Sequence, residues 1–158
     1  MTSRPLVIDT NVVLDVFLFD DAAARPLRAL LDAGGAHWIA TQVMRDELER
    51  VLDYAQLQPR LAFYGLRPAD VLAKFDAHAQ LIEVAPKASV TCTDRDDQKF
   101  IDLAVAHKSL LLSKDTAVLK TRKRLERLGV EVAKSLPAGP AASSESSRTN
   151  ATPEPATR

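Results

Sequence analysis

The chain has 158 residues, which is enough for one domain with a packed core and too few for two domains of ordinary size. Hydrophobic residues make up 46% of it and charged residues 27%, a composition that excludes a wholly disordered chain. Its 21 basic and 21 acidic residues cancel, so any contact with nucleic acid has to come from a local patch.

Cysteine and histidine usage excludes two kinds of site. The single cysteine, Cys92, has no partner for an internal disulfide. The three histidines, His37, His78 and His107, are scattered without zinc-ligand spacing. The N-terminal region has one short apolar run, at 6–8, which is far too short for a signal sequence or a membrane-spanning helix. We therefore expect a cytoplasmic protein that does not contact a membrane.

The first half of the chain alternates short apolar runs with helical patterns. Runs of three apolar residues indicate buried strands, whereas leucines recurring every three or four residues indicate helices. Glycine after a helical run and proline in its first turn mark boundaries. The predicted elements are a strand at 6–8, a helix at 22–33, a strand at 37–39, a helix capped by Thr41, and helical segments at 57–63 and 68–79.

The same alternation continues in the second half. The predicted elements are a strand at 81–84, a helix at 97–107, a strand at 110–112, a basic helix at 116–128 and a strand at 130–133. Strands that alternate with helices are typical of a parallel sheet covered by helices. We therefore predict an α/β fold, a three-layer α/β/α arrangement with a central parallel sheet of about five strands.

The composition changes near residue 137. From there to residue 158 the chain is rich in proline, alanine, serine and threonine and has no apolar periodicity. Such a segment cannot bury enough apolar surface to offset the entropy of ordering it. We therefore expect one domain over residues 1–136, followed by a disordered tail over residues 137–158.

Two aspartates follow buried strands. Asp9 comes directly after the strand at 6–8, and Asp115 comes shortly after the strand at 110–112. In open parallel sheets, ligand sites form at the carboxyl ends of the strands. The two strands should therefore bring both carboxylates to the same edge of the sheet. Asp9 is equally suited to cap the helix that follows it, and the strand end alone does not choose between these roles.

Two further carboxylates project onto buried helix faces. Glu47 falls between Val43 and Val51 on a helical projection, inside the apolar stripe. Asp97 projects onto the same face as the apolar residues of its own helix. A buried carboxylate needs a cation, a metal ion or hydrogen-bond donors. For Glu47 the alternatives are an ion pair with a buried arginine or a position at the edge of the core.

Helix capping is the alternative role for Asp97. It lies in a first helical turn, where the helix dipole favours negative charge, and Asp94 and Asp96 share that position. Three acids in four positions exceed the needs of capping. Carboxylates that converge without basic partners repel one another, and Mg²⁺ or Mn²⁺, which prefer oxygen ligands, would relieve that repulsion. A divalent-metal site is therefore the leading interpretation.

Three segments carry a resemblance to a known family. They are "LVIDTNVVLDVF" at the start, "QVMRDELERVL" around Glu47, and "DRDDQKFIDLAVAHKSLLLSKDTAVL", which contains Asp97 and Asp115. On these segments the chain resembles PIN domains from about residue 4 to residue 136, especially those of bacterial toxin-like proteins. The three segments together are fairly specific, whereas "DTN" alone would be weak evidence.

The resemblance implies a metal centre. In PIN domains the acids that match Asp9, Glu47 and Asp97 bind Mg²⁺ or Mn²⁺, and a more variable fourth acid stands where Asp115 lies. This chain keeps all four, which are therefore assigned to metal binding and catalysis by resemblance.

The resemblance also implies a reaction. One or two ions held by the acids would activate a water for in-line attack on an RNA phosphodiester, without a histidine base. Asn11 is expected to help position the cluster, and Ser113 to support it through hydrogen bonds. The implied function is that of a divalent-metal-dependent endoribonuclease. The alternative is a catalytically silent PIN-like module that binds RNA or a protein.

Protein partners are implied in the same way. Many toxin-like PIN proteins are paired with a small antitoxin that covers or enters the active site, and many form homodimers. The resemblance therefore implies the toxin of a toxin-antitoxin pair, with RNA as substrate and an antitoxin as partner.

The basic segment "KTRKRLERLG" after Asp115 departs from the family pattern, since similar proteins are less charged there. Such a stripe can bind phosphates in a salt-dependent way. Its leucines also predict a helix with a buried face, for which a charged outer face is ordinary, and this second interpretation is slightly favoured. Aromatic residues are 5% of the chain, so base stacking is poorly supported. The candidate RNA-binding residues are Lys114, Lys120, Arg122, Lys123 and Arg124.

Two other α/β families fit less well. A response-regulator receiver domain would have a pair of acids after the first strand and a lone aspartate after the third, but Thr10 and Asn11 follow Asp9 and Ala85 follows the third strand. An aspartate-nucleophile phosphohydrolase would have a second aspartate at the position of Asn11. Neither family is supported.

Overall fold

A computed structural model of the protein describes residues 4–136, and the predicted tail at 137–158 lies outside the described residues. The described chain contains one sheet with helices between its strands. The strands are β1 (Pro5–Ile8), β2 (His37–Ala40), β3 (Ala79–Leu81), β4 (Leu110–Leu112) and β5 (Glu131–Ala133). The α-helices are α1 (Thr10–Phe17), α2 (Arg25–Asp32), α3 (Gln42–Leu52), α4 (Gln58–Phe63), α5 (Pro68–His78), α6 (Arg95–His107), α7 (Thr116–Leu119) and α8 (Arg122–Glu126). Short 3₁₀ turns at Ala22–Ala24 and Ala55–Leu57 precede α2 and α4.

The five strands are all parallel and lie in the order β3-β2-β1-β4-β5. In the central strand, Leu6 is in register with Trp38 of β2 on one side and with Leu110 of β4 on the other. The chain adds β2 and β3 on one side of β1, then returns to place β4 and β5 on the other. Because right-handed crossovers are strongly favoured, this reversal puts helices on both faces of the sheet. The predicted three-layer α/β fold with a five-stranded parallel sheet is confirmed.

The core packs α6 against the two strands that carry the site. Val7 in β1 and Leu111 in β4 are completely buried, and so are Ile101 and Ala104 of α6, which contacts both strands. A helix that connects two parallel strands runs antiparallel to the strands it covers. The first turn of α6 therefore lies at the edge of the sheet where β1 and β4 end.

Three predicted elements differ in the structure. The helix predicted at 22–33 is a 3₁₀ turn, Ala22–Ala24, followed by α2, Arg25–Asp32. The third strand is Ala79–Leu81 rather than 81–84, because its pairing with β2 begins directly after α5 ends, and Val84 is 65% exposed. The predicted basic helix at 116–128 is two short helices that are interrupted at Thr121. The hydroxyl of Thr121 is buried and donates to the carbonyl of Val118 at 2.6 Å, which replaces part of the helical ladder.

No helix within residues 4–136 is both long enough and apolar enough to cross a membrane.

Candidate metal centre

The site begins where β1 and β4 end side by side. The N–H of Asp9 donates to the carbonyl of Leu112 at 2.9 Å and continues the strand pairing by one residue. Asp9 is 3% exposed, and its carboxylate accepts two hydrogen bonds. The Ser113 hydroxyl donates to Oδ2 at 2.7 Å, and the backbone N–H of Asn11 donates to Oδ1 at 3.1 Å. Asp9 therefore caps α1 and faces β4 at once, so the two roles considered for it are compatible.

The environment of Asp9 disfavours its charge. Burial raises the pKa of Asp9 above its ordinary value, and the hydrogen bonds from Ser113 and Asn11 oppose that shift only in part. The carboxylates of Asp115 and Glu47 raise the pKa further. A charged Asp9 would therefore be stabilised by a cation at this point.

Ser113 links two of the acids. Its side chain is completely buried, donates to Asp9 and accepts the backbone N–H of Asp115 at 3.1 Å. Asp115 in turn caps α7, because its Oδ1 accepts the N–H of Ala117 at 2.8 Å. Asn11 contacts the site through its backbone N–H, and Asn11 as a whole is exposed. The hydrogen bonding expected of Ser113 is thus in place, whereas the contact made by Asn11 does not depend on its side chain.

Three carboxylates gather where α6 begins. One oxygen from each of Asp94, Asp97 and Asp115 lies within 4.8 Å of the other two. Asp97 is 7% exposed, and its Oδ2 is buried without a hydrogen-bond partner. Burial, followed by the charges of Asp9 and Asp115, raises the pKa of Asp97 to about 8. A buried acceptor without a donor is costly, and a cation supplied from outside the chain would relieve that cost.

Asp94 belongs to this group, although its position in the sequence predicts a helix cap rather than a metal ligand. It caps α6, with Oδ1 accepting the N–H of Asp96 at 2.9 Å. The signal for it was the excess of acids over capping needs at 94–97. The structure divides those acids by position: Asp97 is buried, while Asp94 is exposed and still shares the cluster. We call Asp9, Glu47, Asp94, Asp97 and Asp115 the acidic cluster.

Glu47 approaches the cluster from α3. Its side chain is 15% exposed, and its Oε1 accepts the hydroxyl of Thr10 at 2.8 Å. The same oxygen lies 3.1 Å from the ammonium of Lys99 on α6. The expectation that the acids converge without a basic partner is therefore wrong. The partner was missed because a lysine that projects from a different helix gives no signal in the spacing of residues around Glu47.

The predicted position of Glu47 between Val43 and Val51, inside the buried face of α3, is wrong. The buried residues of α3 are Met44, Leu48 and Leu52, whereas Val43 is 50% exposed. Glu47 therefore lies on the flank of the buried face rather than in its middle. That position lets its carboxylate reach over the edge of the sheet toward Thr10.

The candidate RNA-binding residues lie outside the acidic cluster. Lys114 forms an ion pair with Asp15, a buried residue of α1, and this contact ties its ammonium to the protein. The remaining candidates are exposed and form no ion pair within the part of the chain that the structure describes. They are Lys120, at the end of α7, and Arg122, Lys123 and Arg124, on α8.

The donor atoms of the cluster fit a hard divalent cation. All are carboxylate oxygens, which Mg²⁺ and Mn²⁺ prefer, and they lie at the point where the order of strands reverses. The unpartnered Oδ2 of Asp97 is the strongest single indication that a ligand completes the site. An ion here would be held by Asp97 and Asp115 together with Asp9, Glu47 or Asp94.

The fold and this cluster define an α/β domain of the nuclease type. A family model described as PIN domain matches residues 5–117, a span that includes the whole acidic cluster. The chain therefore belongs to the PIN-domain family, whose members are typically metal-dependent nucleases. No curated protein matches the chain. The family match ends within α7, so α8 and its basic residues lie beyond it.

Proposed function

We propose that this protein is a divalent-metal-dependent endoribonuclease that hydrolyses RNA phosphodiester bonds. The observation that carries the proposal is the buried, unpartnered Oδ2 of Asp97, which lies among carboxylates at the reversal point of a parallel sheet. We assign Asp9, Glu47, Asp97 and Asp115 to the binding of Mg²⁺ or Mn²⁺. Membership of the PIN-domain family supports this assignment.

The bound cation would supply a water activated for attack and positive charge beside the phosphate oxygens. The chain's own contribution is to hold oxygen ligands in a fixed arrangement. Ser113 holds Asp9 at 2.7 Å and the backbone of Asp115 at 3.1 Å, while Thr10 holds Glu47 at 2.8 Å. Because these hydrogen bonds fix the carboxylates before a substrate binds, little reorganisation is needed when it does.

The first test compares the full chain with an Asp97→Asn variant on labelled single-stranded and structured RNAs. Each reaction is run with Mn²⁺, with Mg²⁺ and with chelator. We expect metal-dependent cleavage by the wild-type protein and a loss of at least about a hundredfold in the variant, the scale of losing one group that stabilises the transition state. Circular dichroism shows whether the variant remains folded.

Asp96→Asn is the matched control. Asp96 lies in the same helical turn and carries the same charge, but it is exposed and lies outside the group formed by Asp94, Asp97 and Asp115. We expect this variant to retain cleavage. If folded wild-type protein leaves every RNA intact under all metal conditions, the nuclease proposal is wrong. A silent PIN-like module that binds RNA or a protein then becomes the better description.

We also propose a biological role, that of the toxin in a toxin-antitoxin pair acting in the cytoplasm. Its protein partner would be an antitoxin that covers the acidic cluster, and a homodimer is the proposed assembly. Resemblance to toxin-like PIN proteins supports this role. Expression of the wild-type chain in a bacterial host should arrest growth, whereas expression of Asp97→Asn at an equal level should not. Equal growth with both chains would contradict the toxin role and leave the nuclease proposal intact.

A further inference from the structure

Lys99 is a cation inside the acidic cluster to which the proposed function assigns no role. Within residues 4–136, its contact with Glu47 is the only ion pair made by any member of that cluster. The ammonium also donates to the carbonyl oxygen of Asp96 and lies 5.0 Å from the centroid of the Phe100 ring. These contacts hold a side chain that is 22% exposed. A surface lysine free in solvent would not be confined in this way.

The ammonium contacts an oxygen of Glu47, a carboxylate that the proposed function assigns to the metal ion. Oε1 of Glu47 already accepts the Thr10 hydroxyl, and the Lys99 ammonium shares that oxygen at 3.1 Å. Among the five carboxylates of the acidic cluster, Glu47 is the one that Lys99 contacts. In the absence of a metal ion, that single positive charge offsets the negative charge of Glu47 across a contact that is largely shielded from water.

We infer that Lys99 is a positioning residue that serves as the counter-ion of Glu47 in the metal-free protein and competes with the metal for that carboxylate. This inference rests on the proposed metal site. A divalent cation that approaches Glu47 meets the repulsion of the ammonium, which neutralises this carboxylate through Oε1. Lys99 therefore lowers the affinity of the centre for metal and stabilises the fold while the centre is empty.

The test is the Mn²⁺ affinity of Lys99→Met, measured by isothermal titration calorimetry on the full chain. Methionine keeps an unbranched side chain of similar reach and removes the charge. We expect the Kd for Mn²⁺ to fall by about tenfold. The melting temperature of the metal-free variant should also fall below that of the wild-type protein, because the carboxylates lose their internal cation.

Lys87→Met is the control for the loss of one positive charge. Lys87 is exposed, and its ammonium donates to the hydroxyl of Thr91 at 3.0 Å. We expect this variant to change the Kd by less than about twofold, as is usual for exposed charges. A second control introduces Lys99→Met into a Glu47→Gln protein and compares the Kd for Mn²⁺ with that of Glu47→Gln alone. If the competition is for Glu47, the effect of removing Lys99 should then shrink to less than about twofold.

The possible outcomes separate this inference from the proposed function. If the wild-type protein binds Mn²⁺ and Lys99→Met binds it equally or more weakly, the role of Lys99 is wrong and the metal centre stands. If the wild-type protein binds no Mn²⁺, the metal centre is wrong and the inference falls with it. If Lys99→Met does not fold, Lys99→Gln carries the test. Its amide retains a donor for Glu47 and the Asp96 carbonyl but removes the positive charge, so the Kd for Mn²⁺ should again fall.

Discussion

At the scale of single residues, Asp97 combines burial with like charges on two sides. Its pKa of about 8 in the folded protein lies far above the ordinary value of 3.8 that applies in the unfolded chain. Between these two values the folded state binds a proton that the unfolded state does not. The free energy of unfolding of the metal-free protein should therefore fall as pH rises from about 4 to about 8 and level off above pH 8.

Asp97→Asn should remove this pH dependence in metal-free protein. We expect the variant to melt at least about 5 °C above the wild-type chain at pH 8.5 in chelator, and the difference to shrink toward pH 4. Thermal unfolding followed by circular dichroism at several pH values measures this. Saturating Mn²⁺ should reverse the order by stabilising the wild-type centre. Equal melting temperatures at pH 8.5 would show that Asp97 carries no electrostatic cost in the fold.

The residues that sequence reasoning identified share one feature, which is a position relative to a strand or helix. Asp9 and Asp115 follow strands, and Asp97 lies on a buried helix face, so local patterns place them at one edge. The contacts that Lys99 and Thr10 make with Glu47 join different helices. No periodicity within one segment reports such contacts, because they depend on how far a side chain reaches after the helices have packed.

At the scale of elements, the basic segment is the clearest case in which tertiary contacts override a pattern. Its leucines are consistent with one helix over 116–128, but the buried hydroxyl of Thr121 interrupts it between α7 and α8. Similarly, β3 ends at Leu81 because pairing with β2 sets the register, whereas the apolar run itself continues to Val84. Alternation of strands and helices could be predicted from the sequence, and exact boundaries could not, since they depend on neighbouring elements.

The exposed cations of α8 are expected to contribute to RNA binding through contacts with phosphates. We compare Arg122→Gln/Lys123→Gln/Arg124→Gln with the wild-type chain by fluorescence anisotropy on single-stranded RNA, using Ca²⁺ in place of the catalytic metal. The plot of log affinity against log salt should become shallower by about 2, since each phosphate contact contributes about 0.7 for single strands. The control triple, Arg25→Gln/Arg50→Gln/Lys87→Gln, removes three exposed cations from α2, from α3 and from the loop before α6.

Similar salt slopes for the two triple variants would mean that α8 has no specific role in binding. The exposed cations would then be the ordinary outer face of a helix that buries Leu125 completely on its inner side.

At the scale of the whole molecule, the fold closes at its C-terminal end with β5, which pairs with β4, and with Leu136, which packs against the core. A chain ending at residue 136 should therefore match the full chain in melting temperature within about 1 °C and in Mn²⁺ affinity. A chain ending at residue 129 lacks β5 and should not fold cooperatively, because the edge of β4 loses its partner. Differential scanning calorimetry distinguishes them. A clear loss of stability on removing 137–158 would contradict the predicted domain boundary.

The pairing of β1 with β4 also determines when the centre can form during synthesis. Asp9 and the Ser113 hydroxyl that holds it are 104 positions apart in the chain. A nascent chain therefore carries its first acid long before it contains the strand that completes the site, and closing so large a loop is a late and slow event in folding. The acidic cluster therefore cannot assemble until Ser113 and Asp115 have left the ribosome. While most of the chain is being synthesised, the cluster is not yet formed beside the RNA that encodes it.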